Sequence, residues 1–214
     1  MYERPILQRP PVPPVRAPGV LLVVEGLNDI EFLLRMSRIL HAHDASVPDL
    51  ADLERLGRLV FVPVGGENLQ HWSKRLGALG WREFHLYDRE VAPETEIRHQ
   101  AAFAVNARPD CRAVVMQKRS LENYLHPLAI EEAKGFQVRF SDLDPVADIV
   151  ARLCLPVDCH WDELSRRAKN RLRYRIKKWL NRDAVDRMTP ARLAEQDLSG
   201  ELMSWLSVVA ALAS

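Results

Sequence analysis

Three times in the first 110 residues, a short apolar run gives way to a polar turn and then to a stretch of helical period, and a fourth apolar run follows. The run Val20–Val24 has no polar interruption, which predicts a strand buried on both faces. Beyond it Ile30, Phe32, Leu33, Leu34, Met36, Ile39 and Leu40 carry helical spacing, so the reading is strand, acidic loop, helix. Leu59 to Val62 predicts a second strand, a turn at Gly65-Gly66, and a helix from about Asn68. A third strand ends at Asp88, and its helix opens near Glu94, just after Pro93. The fourth strand, Ala113 to Met116, runs into "QKRSLENYLHP". Short connections between alternating strands and helices predict an α/β fold, a mostly parallel four-stranded sheet flanked by helices.

After Pro127 the period is helical: Pro145 to Leu153, Trp161 to about Arg182, and Pro190 to the C-terminus with a break near Gly200. Leu164, Ala168, Leu172, Ile176 and Trp179 or Leu180 form the apolar stripe of the middle helix. The expected organisation is therefore a proline-rich arm over 1–18, an α/β domain over 19–127 and a helical extension over 128–214.

Composition narrows the class without naming a partner. With 47% apolar and 28% charged residues in 214, the chain suits a globular protein able to bury a core. The net charge of +1 conceals a local excess, because nine Lys and Arg fall between Arg166 and Arg182 with no acid among them. Three cysteines, Cys111, Cys154 and Cys159, form no CxxC pair, and Cys154, Cys159 and His160 lack a fourth zinc ligand at finger spacing. A reduced, cytoplasmic protein is expected, and no apolar run approaches the ~20 residues that span a bilayer. The first nineteen residues hold six prolines and early charges instead of a signal peptide's apolar segment. Their reading is an extended arm.

The candidate chemistry lies at the ends of the strands. Glu25, Asp29, Asp88, Glu90 and Glu122 each stand just beyond a strand or in the segment leaving it. Ligands of open parallel sheets sit past the carboxyl ends of the strands, where chain order reverses. If the first and third strands are neighbours, Glu25 meets Asp88 and Glu90 across one crevice. Carboxylates so crowded need protons or a hard cation, and an oxygen-only set favours Mg²⁺ or Mn²⁺ over zinc. The competing reading is capping: Asp29 and Glu31 fall in or near a helix's first turn, where negative charge is favoured anyway. Glu25, at a strand end and followed by Gly26, is poorly placed as a cap.

"VVEGLND", "LYDRE" and the Gly65-Gly66 pair between them resemble the Toprim domain of topoisomerases, DnaG-type primases and related nucleases. "KRSLENYLHP", Lys118 to Pro127, is similar to the segment after the fourth strand in the overcoming-lysogenization-defect (OLD) branch of those nucleases. The resemblance covers about residues 19 to 127. It implies metal-dependent phosphodiester chemistry, with Glu25 matching the family's first glutamate, a metal ligand in nucleases and a proposed general acid/base elsewhere. It also matches Asp88 and Glu90 to the DxD pair, with glutamate as the second acid here, Asp29 to the acid four residues after the first glutamate, and Glu122 to the later acid. Glu25, Asp29, Asp88, Glu90 and Glu122 would then hold two ions that activate water and stabilise the leaving oxygen. Lys118 is close in sequence to Glu122 and could face the charge of the transition state; the resemblance implies the same for Lys177 or Lys178, since the OLD branch also uses a late lysine.

No Gly-x-x-x-x-Gly-Lys spacing occurs, so Gly65-Gly66 reads as a tight turn and any ATP dependence would come from a partner chain in trans. The basic helix, through Arg166, Arg167, Lys169, Arg171, Arg173, Arg175, Lys177 and Lys178, has the charge pattern of contact with DNA or RNA, and Tyr174 and Trp179 could stack on bases. Trp179 continues the apolar stripe and so reads as core, and an acidic protein is the rival partner. The seven histidines show no pairing at ligand spacing. Two further functions stay open at this level. One is a Toprim-fold binding or regulatory subunit without activity, and the other is nucleotidyl transfer of the primase type.

Overall fold

The computed structural model describes residues 19–214, so the proline-rich arm expected over 1–18 lies outside the described residues. Strand β1 (Val20–Val24) is followed by α1 (Leu27–His43) and a short α2 (Leu50–Arg55). Then come β2 (Leu59–Pro63), α3 (Leu69–Gly77), β3 (Glu83–Tyr87), α4 (Glu94–Asn106) and β4 (Cys111–Val115). All four strands are parallel, in the order β2-β1-β3-β4, with Leu22 opposite Phe61 on one side and Phe84 on the other. The expected α/β fold is the observed one.

Alternation along β1 divides the interior. Val20, Leu22 and Val24 face one apolar cluster, and Leu21 and Val23 face the other. Five fully buried apolar side chains on a central strand contribute about 2 kcal/mol each. α3 and α4 cover one face with Leu69, Leu76, Ala101, Ala102 and Val105. The other face receives Phe32, Leu33, Met36 and Leu40 of α1.

That second face also receives the C-terminal third: α5 (Pro127–Lys134), α6 (Val146–Leu153), α7 (Arg166–Trp179), α8 (Pro190–Gln196) and α9 (Glu201–Leu212). Leu202, Trp205, Leu206 and Val209 of α9 join the same cluster as Leu22 and Leu86, so residues on both sides of position 127 share one core. α9 is held at its C-terminal end by arginines from the amino ends of strands: Arg58 Nε donates to Ala213 O at 3.0 Å and Arg82 Nη1 to Leu212 O at 2.8 Å. Those carbonyls have no partner within the helix, which is why cations collect there.

Three differences from the sequence reading have local causes. α1 begins at Leu27 and not after an acidic loop, because Gly26 N–H donates to Asp29 Oδ2 at 2.7 Å and closes the first turn. The basic helix starts at Arg166, where Ser165 Oγ accepts from Ala168 N–H at 3.2 Å, and it ends in a π-helical turn, Leu180–Ala184. α2 and α5, of six and eight residues, have no counterpart in the sequence reading. Among the described residues no helix is long and apolar enough to cross a membrane.

Candidate functional site

The strand order places the chain reversal between β1 and β3, and the acids converge there. Glu25 follows β1 directly and Asp88 follows β3, and Asp88 N–H donates to Glu25 Oε1 at 3.2 Å. Asp29 enters from the first turn of α1, and Glu122 from the 3₁₀ turn Leu121–Tyr124 beyond β4. From the far side α7 brings Lys177, whose Nζ lies 3.7 Å from Glu122 Oε2.

The electrostatics of this crevice are unbalanced. Burial, followed by the charge of Glu25, raises the Asp88 carboxyl well above its ordinary value, against the pull of Lys177. Asp29 is pushed up to about 7, first by burial and then by Glu122 and Glu25, although Lys177 and the Gly26 N–H oppose the rise. Glu122 behaves oppositely. Its burial alone would raise it, but Lys177 and hydrogen bonds from Ser120 Oγ at 2.7 Å and Asn181 Nδ2 at 2.7 Å hold it below the usual glutamate value. Lys177 is raised in turn, chiefly by Glu122 and then by Asp88 and Asp29, with burial opposing, so it stays charged.

Glu25 has a partner that the sequence reading missed. Arg98 of α4 donates two bonds to its carboxylate, each 2.9 Å, and both side chains are largely buried. The signal for Arg98 lies in the period of its helix. The buried stripe of α4 is Arg98, Ala101, Ala102 and Val105, which puts an arginine on a core position. Gly66 serves this pair. A Cβ there would lie 2.5 Å from Glu25 Oε2 and 3.3 Å from Arg98 Nη2, so the position admits glycine for close approach, while Gly65, at φ 73°, makes the turn.

Glu90 and Lys118 stand apart from the expected centre. Glu90 has a left-handed backbone, φ 52°, and its carboxylate accepts from Arg119 Nε at 3.2 Å at the rim of the crevice. Lys118, expected beside Glu122, turns away: its ammonium pairs with Asp142 and lies 5.6 Å from the Tyr124 ring centre. The cause is backbone pairing, because Arg119 N–H donates to Asp142 O at 2.7 Å and draws Asp142 alongside. The lysine facing the acids is Lys177.

α7 divides its cations. Arg173 pairs with Asp148, and Lys169 and Arg173 sit 5.7 and 5.4 Å from the Trp161 ring centre. Arg166, Arg167, Arg171, Arg175 and Lys178 are exposed. Trp179 is half-buried against the core, and Tyr174 is exposed.

The donor set suits a hard divalent cation in chemistry, being carboxyl oxygen, and in balance: five carboxyl groups, Glu25, Asp29, Asp88, Glu90 and Glu122, face three cations, Arg98, Arg119 and Lys177, and the two without a cation of their own among the described residues, Asp29 and Asp88, are the two raised toward the protonated form. It is not closed around one point. Among the described residues no three Asp, Glu, His or Cys side chains are arranged to hold an ion, since Glu25 is turned to Arg98 and Glu122 to Lys177 and Asn181. Comparison of the chain with models of protein families, with curated proteins and with solved structures gave no match.

Proposed function

We propose that this chain hydrolyses phosphodiester bonds of nucleic acid with Mg²⁺ or Mn²⁺, as a Toprim-type nuclease resembling the OLD branch. One observation carries the reading: more buried carboxyl groups than cations, with Asp88 and Asp29 left without one among the described residues, at the reversal point of a parallel sheet. Asp29 and Asp88 would hold the ion, with Glu25 and Glu122 beside them. Bound there, it would polarise the phosphate and supply an activated water.

The remaining work belongs to the chain's own residues. Lys177 stays charged and would stabilise the oxygens that carry the negative charge of the transition state. Arg98 fixes the Glu25 carboxylate, and the exposed cations of α7 draw in the polyanionic backbone. DNA or RNA is the partner of this reading, an ATPase in trans a further one. Three free cysteines agree with a cytoplasmic setting.

The test is incubation of supercoiled plasmid, single-stranded DNA and structured RNA with the protein in Mn²⁺, beside Asp88→Ala and Glu25→Ala. Cleavage that Asp88→Ala lowers by about a thousandfold is expected; cleavage surviving both substitutions sinks the reading. A second reading has its own observation. Glu25 and Glu122 already have Arg98 and Lys177 as counter-ions, as in a binding module that keeps the fold without the chemistry. Calorimetry separates the two, because nucleic-acid binding without any Mn²⁺ binding favours the module.

A further inference from the structure

Among the described residues six cations of α7 have no acidic partner, and three of them share one face of the helix with Tyr174. Arg167, Arg171, Tyr174 and Lys178 follow one another at spacings of four, three and four residues, which puts all four on one face of the helix. All four are exposed, and among the described residues none of the three cations forms an ion pair, in contrast to Arg173, Lys177 and Arg182. The stripe spans about 16 Å at the helical rise of 1.5 Å per residue. It ends at a groove of about 240 Å³ between α7 and the first turns of α1, lined by Leu27, Ile30, Tyr174, Lys178 and Arg182.

The groove combines features that plain solvation of a basic helix does not require. Leu27 is 67% exposed and Tyr174 61% exposed, two large apolar side chains left in water on facing elements. Arg182 Nη2 is tied to Glu31 Oε1 at 2.7 Å across the groove, while Arg182 Nε is buried with no hydrogen-bond partner. The groove also adjoins the acidic crevice, since Asp29 lies in the same first turn as Leu27, and Lys177 precedes Lys178.

We infer that this groove receives an unpaired nucleobase, stacked on Tyr174 and bounded by Leu27, and that the stripe of Arg167, Arg171 and Lys178 tracks the phosphates of the same strand. Single-stranded nucleic acid is thus the substrate class; the inference rests on the nuclease reading for the fate of the strand but not for its binding. A base within a duplex has both faces covered by its neighbours and cannot lie on the ring. A single strand offers an aromatic face and a phosphate at every residue, and stacking on one aromatic side chain is a large part of such binding. An acidic protein surface would satisfy the same cations; it would make the single-strand affinity independent of Tyr174, which the experiment reads.

The experiment uses the full chain at low salt in EDTA, with a single-stranded DNA oligonucleotide carrying 2-aminopurine and with the same oligonucleotide in a duplex. Tighter binding of the single strand, with a change in 2-aminopurine fluorescence, is expected. Tyr174→Ala should weaken it about tenfold, Tyr174→Phe should retain it, and Leu27→Ala should reduce the fluorescence change. Duplex binding should not respond to Tyr174→Ala. Single-strand affinity indifferent to Tyr174→Ala, or duplex binding as tight as single-strand binding, overturns the inference. Cleavage in Mn²⁺ is scored separately. Tyr174-dependent binding without cleavage overturns only the nuclease reading, and cleavage with Tyr174-independent binding overturns only this one.

Discussion

Strand β3 carries a buried charged cluster at each end, and the two are built on opposite terms. Toward its amino end Glu83 accepts from Arg108 at 2.8 and 2.7 Å and meets His85 Nε2 at 2.6 Å, while His85 Nδ1 meets the Tyr87 hydroxyl at 2.7 Å. Burial would raise Glu83, but these partners hold it below the usual glutamate value. Toward the carboxyl end Asp88 sits among Glu25, Asp29 and Glu122 and is raised, with Lys177 opposing. One cluster is closed and neutralised inside the fold. The other keeps carboxyl groups that no side-chain cation among the described residues neutralises and that are raised toward the protonated form. Burial and polarity are common to both; what sets the second apart is carboxyl groups without a cation of their own.

The contrast can be broken from either end. The largest expected effect is at the closed cluster: Glu83→Ala leaves Arg108 and His85 without their carboxylate and should cost about 4 kcal/mol in urea unfolding. Asp88→Asn, which removes a repelled buried carboxylate, should leave stability unchanged or raise it. If the two substitutions destabilise equally, the contrast fails.

A smaller loss is expected at Arg98. Arg98→Ala strands Glu25 and should cost about 3 kcal/mol, and adding Glu25→Gln should recover part of it by removing the orphaned charge. No recovery in the double variant would mean that Arg98 acts through packing alone.

The smallest effect is a slope with pH. Asp29 has a folded value of about 7 against an ordinary 3.8, so the folded state keeps that proton longer than the unfolded chain. Its contribution is full below about pH 4 and is lost as pH rises through 7. In EDTA the melting temperature should therefore fall over that window, and Asp29→Asn, whose amide oxygen can still accept from Gly26, should flatten the fall. Mn²⁺ should raise the melting temperature more at pH 8 than at pH 5, because a cation needs the ionised carboxylates. An unchanged slope in Asp29→Asn would remove Asp29 from the strained cluster.

Much of the frame was legible because it is local. β1 was read to the residue, since five consecutive apolar positions, three of them valine, stopped by Glu25-Gly26, suit a short strand covered on both sides. Asp29 shows how two readings can coexist: one oxygen caps α1, as the bland reading has it, while the carboxyl faces Glu122 and Lys177. Lys118 shows where locality fails. Four residues from Glu122, it is nevertheless drawn to Asp142 by a backbone contact that no spacing encodes.

By itself the sequence determined the four strands and the helices between and after them except α2 and α5, the apolar faces, and the presence of an acid beyond each of three strands, because these follow from periodicity and position along one chain. Tertiary structure alone decided which cation meets which acid. Arg98 reaches Glu25 from 73 residues away, and Lys177 reaches Glu122 from 55 away. Such pairings set the charge balance of the crevice through distances of 3 to 4 Å, where the Coulomb energy changes most steeply and where separation along the chain carries no information.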